Sequence, residues 1–288
     1  MLKTVWLKDK RDISTGSAML VGGFDGFHMG HRQLLSCAKQ SNLPVGVMTI
    51  VGGKEKPLFT FEEREQIFKK AGVDFVFELP FAEIKDLTPS QFLELLLSQF
   101  HVKLFVCGED FRFGKGAAGA PEDLKSGDHV RVEMKQLVTM YGVKVGSNAI
   151  KELLQNGKIE RANELLEEPF FVLGEVVADR KVGRTIGFPT ANIEYPADKF
   201  PLKQGVYQTQ VEVEGVVYKG ITNYGARPTF DNERVLTETY LDGFSGNLYG
   251  KKLTVKFIRF LREIRKFDSI ADLKNQLQDD IRRVRTND

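Results

Sequence analysis

Cysteine is scarce in this chain: its 288 residues include two, Cys37 and Cys107. Two thiols cannot supply the disulfide framework of a small secreted domain, and they are typical of a protein kept in a reducing compartment. Residues 1–14 mix charges with isolated apolar side chains, unlike the core of a signal peptide. No apolar run reaches the ~18 residues that a membrane-spanning helix needs. We therefore expect a cytoplasmic protein.

The chain also lacks an excess of charge of one sign. It has 41 Lys and Arg residues and 39 Asp and Glu residues, which gives a net charge of +2. Binding to nucleic acid or to a membrane surface through bulk charge is therefore not expected. The Walker A motif and the catalytic loop of protein kinases are absent too, which excludes two large classes of phosphotransferase. The apolar fraction of 42% and the length predict two ordinary globular domains.

In the first half of the chain, apolar runs alternate with helical patterns. Helices are predicted to begin at Thr60, which opens a capping box, and at Thr88, which precedes a proline. The predicted strands cover residues 19–21, 45–51, 75–77 and 104–107. This alternation predicts an α/β domain with a parallel, doubly wound sheet.

A glycine-rich turn, residues 22–31, follows the first of these strands and leads into a helix. The order strand, glycine turn, helix N-terminus is where α/β sheets bind phosphates. His28 and His31 can both face one anion if the helix begins there. The alternatives are a polar turn without a ligand and a metal site, and the lack of a nearby Cys or acidic cluster disfavours the metal.

Residues 108–114 follow the last predicted strand, at the carboxyl edge where ligands of such sheets gather. Asp110 lies there between a glycine and two phenylalanines. The segment could be a turn that buries its aromatic rings. We favour a nucleotide site, to which this segment would contribute together with His28 and His31.

The stretch 183–192 is the most informative in the second half. Gly183, Arg184, Thr185 and Gly187 form a run in which backbone N–H groups can approach an anion, so it predicts a phosphate cradle. Pro189 then stiffens the chain, and Thr190 and Asn192 offer oxygens to a hard cation or to a hydrogen-bond donor. The alternative is an ordinary Gly-Pro turn between two strands.

From Phe170 onward the pattern changes to short β-rich runs separated by Gly and Asn turns. This predicts a small antiparallel barrel, closed by a helix over 269–284 whose apolar stripe packs against it. Two short helices broken at Gly157 precede the barrel. With Pro169 as the boundary, the predicted domains are 1–168 and 169–288.

Several stretches of the second half resemble riboflavin kinases, in the expected order: 183–192, 205–207, 223–230, Glu238 and 260–269. The resemblance implies that riboflavin and ATP are converted to FMN. It assigns Gly183, Arg184, Thr185 and Gly187 to the ATP phosphates, Thr190 and Asn192 to Mg²⁺, and Glu238 to the catalytic base that accepts the proton of the ribityl 5′-hydroxyl. It further implies that the flavin is contacted by Arg227, Arg262 and Phe267.

Residues 23–31 and 108–114 resemble the riboflavin kinase/FAD synthetase branch of the nucleotidylyltransferase superfamily. The resemblance implies an FMN adenylyltransferase domain, in which the histidines stabilise charge on the triphosphate. The nucleotide-site residues that it implies are Gly23, Asp25, His28, Gly30, His31, Asp110, Ser147 and Lys151.

Two departures from the family pattern predict a weakened adenylyltransferase. Gly52-Gly53 stands where the family has Pro-His, and 147–151 keeps one hydroxyl and replaces an arginine by Lys151. Lysine keeps the charge but loses the bidentate fork of arginine. Lys144, Lys151 or Lys54 could substitute for the lost clamp.

The resulting prediction is a riboflavin kinase whose FMN adenylyltransferase half is weak, with small-molecule partners and an oligomeric state that the sequence leaves open. One alternative is a fully active bifunctional enzyme. Another, from a different class, is a flavin-binding regulator without turnover, which the intact 183–192 stretch and Glu238 disfavour.

Overall fold

The computed structural model describes residues 3–7, 12–53, 56–125, 129–178, 187–227 and 234–286. The chain folds into two compact units, 1–149 and 150–288.

The first unit is built on a six-stranded sheet with the order β1-β4-β3-β2-β5-β6. Its strands are β1 (Lys3–Trp6), β2 (Ser17–Leu20), β3 (Val45–Val51), β4 (Phe75–Pro80), β5 (Val102–Gly108) and β6 (Arg131–Lys135). All neighbours are parallel except β1, which pairs antiparallel with β4 at the edge. The predicted parallel α/β fold is confirmed. The two edge strands were not predicted, because their half-exposed, mixed sequences carry no continuous apolar run.

Four helices and a small hairpin complete this unit. They are α1 (Met29–Lys39), α2 (Phe61–Ala71), α3 (Phe81–Ile84), α4 (Pro89–Phe100), and the strands β7 (Thr139–Met140) and β8 (Val143–Lys144). The helix starts follow the sequence: the Thr60 hydroxyl accepts from the Glu63 N–H while Glu63 accepts from the Thr60 N–H, and Thr88 forms the same box with Gln91. These capping boxes satisfy backbone donors that a helix leaves unpaired at its first turn.

One face of the sheet packs on α4, where Phe92, Leu96 and Phe100 are buried against the strands. The Phe100 ring lies 4.1 Å from that of Phe77, centroid to centroid. Aromatic burial of this kind dominates core energetics. It holds the strands, and therefore the loops at their carboxyl ends, in a defined arrangement.

The second unit contains a closed six-stranded antiparallel barrel with the order β10-β13-β12-β11-β14-β9. Its strands are β9 (Phe171–Val177), β10 (Thr190–Glu194), β11 (Gly205–Val213), β12 (Val216–Arg227), β13 (Arg234–Leu241) and β14 (Lys252–Arg262). The helices are α5 (Ser147–Gln155), which begins in the first unit, α6 (Ile159–Leu165) and α7 (Ile270–Thr286). The predicted barrel and its closing helix are both confirmed.

The connecting residues 150–168 belong to the second unit, whereas the sequence boundary grouped them with the first. The Asn163 amide explains the difference: its Nδ2 donates to the Phe257 carbonyl at 2.8 Å, and its Oδ1 accepts from the Phe170 N–H at 2.8 Å. The Lys203 N–H also donates to the Leu154 carbonyl at 3.0 Å. Hydrogen bonds between residues so distant in sequence leave no local pattern.

The two faces of the barrel wall differ in chemistry. On the inner face the hydroxyls of Thr209, Thr222 and Thr239 form a buried ladder with 2.8 Å between successive oxygens. On the outer face Val206 and Ile221 pack against apolar side chains of α7. Leu277, Ile281 and Val284 of the predicted stripe therefore pack on the barrel, whereas Ile270 at the start of the helix is exposed.

Candidate active sites

Three polar side chains lie in one row across the outer face of the barrel. In the antiparallel register, Asn192 of β10 is directly opposite Glu238 of β13, and Glu238 is directly opposite Asn223 of β12. Val206 of β11 continues the row beneath α7, which places it on the outer face. Directly opposite residues have Cβ atoms about 4.5–5.5 Å apart, so Glu238 lies beside Asn192 on one side and beside Asn223 on the other.

The hydrogen bonds in this row are incomplete. Asn223 Nδ2 donates to Glu238 Oε2 at 3.5 Å. Asn192 is buried, with 7% of its surface exposed, and its Oδ1 accepts no hydrogen bond from the described residues. A buried acceptor without a donor is costly and rare. The Asn192 amide oxygen is therefore placed to receive a ligand.

Thr190 lies two residues before Asn192 on the same strand, so both side chains emerge on one face of β10. Its partner in the register is Tyr240, whose ring lies 5.6 Å from that of the buried Phe188. Strand β10 begins at Thr190, so Thr190 and Asn192 lie on a strand directly after Pro189. Pairing with β9 and β13 on both sides makes this segment a strand, despite the preceding proline.

The oxygens near Glu238 fit a hard cation. Thr190 and Asn192 supply neutral oxygens, and the Glu238 carboxylate lies beside them on the neighbouring strand, where the proposed base is needed. No group of three or more His, Cys, Asp and Glu side chains suited to a metal occurs among the described residues. A site with few protein oxygens suits Mg²⁺, which keeps several waters and binds substrate phosphates.

The residues implied for the ATP phosphates are described only in part, since Gly183, Arg184 and Thr185 lie outside the described residues. Gly187 is described, and its φ of +87° is in the left-handed region that favours glycine. A Cβ there would meet no atom of the described residues within 4 Å, so the backbone conformation is the reason that the structure gives for glycine.

Arg262, implied to contact flavin, is bound to Asp280 of α7. Its Nε and Nη2 donate to Asp280 Oδ2 at 3.0 and 2.8 Å, and the Asp280 side chain is fully buried. The Phe267 ring lies 6.0 Å from the Arg262 guanidinium and 4.9 Å from that of Arg265. Arg227 ends β12, with its side chain outside the described set. The flavin roles of these residues remain predictions.

In the first unit, two predicted segments converge at one edge of the sheet. Strands β2 and β5 are parallel neighbours, so residues 22–31 and 108–114 follow strands that end side by side. The chain continues from β2 to β3 on the opposite side of β2 from β5. Such a change of direction opens a crevice at the carboxyl ends of the strands, where α/β proteins bind ligands.

His28 and His31 are stacked at the start of α1. His28 is the N-cap, and its Nδ1 accepts from the His31 backbone N–H at 3.4 Å. The His31 Nδ1–H donates to the Gly26 carbonyl at 2.8 Å. The two imidazole centroids are 3.6 Å apart, and the Phe24 ring lies 4.1 Å from that of His31. At Gly30 a Cβ would come within 3.2 Å of the His28 ring, so a larger residue would disturb the stack.

Burial keeps both imidazoles neutral. It lowers the pKa of His28 to about 4, with a further lowering by the charge of Lys144. Burial also holds the pKa of His31 well below its ordinary value, and the neighbouring His28 adds to this effect. At neutral pH His28 accepts at Nδ1 and so carries its proton at Nε2. His28 can therefore donate from Nε2–H to an anion without carrying charge, whereas neutral His31, whose one ring proton is donated to Gly26, has only an acceptor at Nε2.

Asp110 at the carboxyl end of β5 forms an ion pair with Lys144 of β8, and both side chains are about half exposed. Lys144 therefore places a cation at this crevice, close enough to influence His28. Asp25 Oδ1 accepts from the Leu58 N–H at 2.6 Å, which anchors the approach to α2, and the assignment of Asp25 to a nucleotide remains a prediction. Gly23 is exposed, and a Cβ there would meet nothing within 4 Å.

The remaining predicted nucleotide residues lie on α5. Ser147 is its first residue, in the first unit. Lys151 belongs to the second unit, where its side chain is buried and its Nζ lies 5.4 Å from the centroid of the Phe200 ring. Lys54 lies outside the described residues. The assignment of Ser147 and Lys151 to a nucleotide remains a prediction.

Comparison with known proteins identifies the family of each unit. The riboflavin kinase family model matches residues 166–287, and the FAD synthetase family model matches residues 10–149. A bifunctional riboflavin kinase/FMN adenylyltransferase of Haemophilus influenzae is 34% identical, covering 96% of this chain and 95% of the relative. The chain belongs to the bifunctional riboflavin kinase/FMN adenylyltransferase family.

Other family members show similar coverage: the bifunctional enzyme of Bacillus subtilis is 33% identical over 92% of this chain and 90% of its own length. A solved structure, titled as a macrolide-efflux protein of Streptococcus pneumoniae, superposes with a TM-score of 0.86 at 29% identity and 98% coverage of both chains. In the part of this chain that the structure describes, no helix is long and apolar enough to cross a membrane.

Proposed function

We propose that this member of the family phosphorylates riboflavin to FMN with Mg·ATP. The observation that supports the proposal best is the row formed by Asn192, Glu238 and Asn223, in which a carboxylate lies beside a buried amide oxygen that accepts no hydrogen bond from the described residues. A rigid barrel wall supports all three side chains, which suits a reaction that depends on positioning.

Phosphoryl transfer requires an acceptor hydroxyl held in line and charge on the phosphates neutralised. Glu238 accepts the proton of the ribityl 5′-hydroxyl as that oxygen bonds to the γ-phosphorus, while the bond from the γ-phosphorus to the β–γ bridging oxygen breaks and ADP leaves. Thr190 and Asn192 would hold Mg²⁺, which would neutralise phosphate charge. Because the three residues lie on neighbouring strands, the base and the metal ligands keep a fixed separation.

The experiment is to incubate the full chain with riboflavin, ATP and Mg²⁺ and to separate FMN from FAD. FMN formation is the expected result. Failure of folded protein to make FMN at saturating substrate would contradict the proposal. Flavin binding without ATP consumption would instead support the regulator alternative.

We further propose that FAD forms more slowly than FMN, because the adenylyltransferase half has Gly52-Gly53 and Lys151 where the family has Pro-His and arginine. Loss of one electrostatic clamp commonly costs ~10²–10³ in rate. The test supplies FMN, ATP and Mg²⁺ and compares FAD formation with riboflavin phosphorylation. Equal rates would overturn the proposal.

Full bifunctionality is the second candidate, and the position of Lys144 favours it. This lysine pairs with Asp110 at the crevice and lowers the pKa of His28, so it supplies a cation where the triphosphate would bind. If FAD formation is fast, Lys144→Met should abolish most of it while riboflavin phosphorylation by the barrel is unchanged.

A further inference from the structure

The outer face of the barrel wall has a gap beside the kinase row, because a glycine stands there. Gly225 follows Asn223 by two positions on β12, so both belong to the outer face. In the register Asn223 is directly opposite Glu238, which makes Gly225 a diagonal neighbour of Glu238. Diagonal neighbours across two strands are about 7–8 Å apart. The gap therefore lies close to the proposed base without touching it.

The side chain of Ile264 covers this gap. Ile264 follows the end of β14, and its Cδ1 lies 2.6 Å from the position that a Cβ at Gly225 would take. The Gln204 Oε1 lies 3.6 Å from the same position. Ile264 nevertheless keeps 46% of its surface exposed. It therefore packs on the wall with one side and leaves apolar surface open next to the row.

We propose that Ile264 is a riboflavin-binding residue, which packs against the isoalloxazine ring while the ribityl 5′-hydroxyl lies at Glu238. The proposal rests on the proposed role of Glu238 as base in riboflavin phosphorylation. The family resemblance assigns other residues to the flavin and gives Ile264 no role.

The chemistry of riboflavin fits this placement. The ribityl chain separates the ring from the hydroxyl that reacts, so a site for the ring must lie beside the base and not on it. The ring has apolar faces and a polar edge, and sites for such ligands combine apolar surface with a few polar groups. Ile264 supplies apolar surface beside the base, and Gln204 supplies an amide at its border.

The test uses the full chain and measures kcat and KM for riboflavin, together with the affinity for lumiflavin, which carries the ring but not the ribityl chain. Ile264→Ala should raise KM for riboflavin about tenfold and weaken lumiflavin binding by a similar factor, because it removes apolar contact with the ring. The value of kcat should change by less than about twofold, since the ring is bound equally before and during the reaction. Ile264→Leu conserves volume and should restore most of the affinity.

A second variant moves Ile264 without altering it. The backbone of Gly225 is not in the left-handed region, so alanine can adopt it. In Gly225→Ala the new methyl group would displace the Ile264 Cδ1 from the wall, and KM for riboflavin should again rise. Val217→Ala is the matched control, since Val217 is a 60% exposed apolar residue near the other end of β12. It should leave KM for riboflavin and lumiflavin binding unchanged.

The outcomes separate failure of this proposal from failure of the proposed function. If the unmodified chain makes no FMN, the proposed function fails, and lumiflavin binding still measures the contribution of Ile264. If the chain makes FMN while Ile264→Ala keeps the KM for riboflavin and the lumiflavin affinity, the ring binds elsewhere and the proposal is overturned. A loss confined to kcat in Ile264→Ala, or the same rise in KM in Val217→Ala, would overturn it too.

Discussion

In our proposal, the kinase chemistry depends on a few side chains whose spacing the barrel wall sets. Asn192 and Glu238 share a ladder position on β10 and β13, so their Cβ atoms lie side by side. The same wall uses threonine hydroxyls on its inner face, where each finds a partner. Among the described residues, the buried Asn192 oxygen accepts no hydrogen bond, which supports our proposal that it serves a ligand.

Glu238→Gln should slow FMN formation by roughly 10²–10⁴-fold, because a positioned general base is worth that much. The amide is nearly isosteric, so the fold and riboflavin binding should be kept. Single-turnover kinetics with riboflavin and Mg·ATP measure the step. Glu194→Gln is the control, since Glu194 is an exposed carboxylate on β10 that pairs with Arg234. A change below about fivefold in Glu238→Gln would show that the base lies elsewhere.

Thr190→Ala and Asn192→Ala should impair the use of Mg·ATP more than the binding of riboflavin, because their oxygens serve the metal and phosphates in our assignment. The measurements are the dependence of rate on Mg²⁺ and ATP, and riboflavin affinity by flavin fluorescence. A collapse of riboflavin affinity with unchanged ATP dependence would reverse the assignment.

Acidification should destabilise the first unit through His28. Its folded pKa of about 4 lies below the ordinary value of 6.5, so between these values the unfolded chain binds more protons. Its contribution to stability is therefore full above pH 6.5 and is lost as the pH falls toward 4. His28→Asn keeps an N-cap acceptor but cannot ionise. The melting temperature of this variant should therefore fall less than that of the unmodified protein over this pH range. Parallel curves for the two proteins would show that His28 is not responsible.

Among the elements of the barrel, α7 is held by a buried ion pair as well as by its apolar stripe. Asp280 is fully buried, accepts two hydrogen bonds from Arg262, and receives a third at 2.7 Å from Gln276. The helix thus anchors the end of β14 from which the predicted flavin segment continues. A buried ion pair adds little net stability, but removing one of its two partners is costly.

Arg262→Met should therefore destabilise the protein by about 3–5 kcal/mol, because it leaves the Asp280 carboxylate buried and uncompensated. Denaturant unfolding measures the change. Arg282→Ala, which removes an exposed i,i+3 pair with Asp279 on the same helix, should cost less than about 1 kcal/mol. Equal effects of the two substitutions would show that the Arg262 pair is not effectively buried.

At the scale of the whole chain, the boundary between the two units decides which fragment should fold without the rest. Helices α5 and α6 belong with the barrel, and Asn163 bonds the backbone on either side of the β9–β14 pair. A fragment that starts at Glu168 keeps the Glu168–Lys256 ion pair but loses these contacts.

We expect a fragment of residues 150–288 to fold and to phosphorylate riboflavin, and one of residues 168–288 to have a lower melting temperature. The reason is that the shorter fragment leaves the Phe257 carbonyl and the Phe170 N–H without Asn163. Thermal unfolding and FMN formation measure both points. In the full chain, Asn163→Ala should reproduce part of this decrease in melting temperature. Equal melting temperatures for the two fragments would restore the boundary near residue 168.

Local pattern was enough to predict most elements of both units. The strand 45–51, the capped helices at Thr60 and Thr88, and the closing helix follow from periodicity and capping chemistry that involve residues a few positions apart. The family resemblance supplied the order of the motifs, and hence the two candidate sites. These features are legible in sequence because each depends on neighbours along the chain.

The arrangement of the kinase row could not be predicted in this way. That Asn192, Glu238 and Asn223 face one another depends on the register of three strands joined by long connections, and a shift of one residue would turn each side chain to the other face. The burial that neutralises His28 and His31, and the hold of Asn163 on the barrel, likewise arise from contacts between distant segments. The sequence specified which groups are present. Packing and strand register depend on contacts throughout the fold, and they specified which of these groups meet.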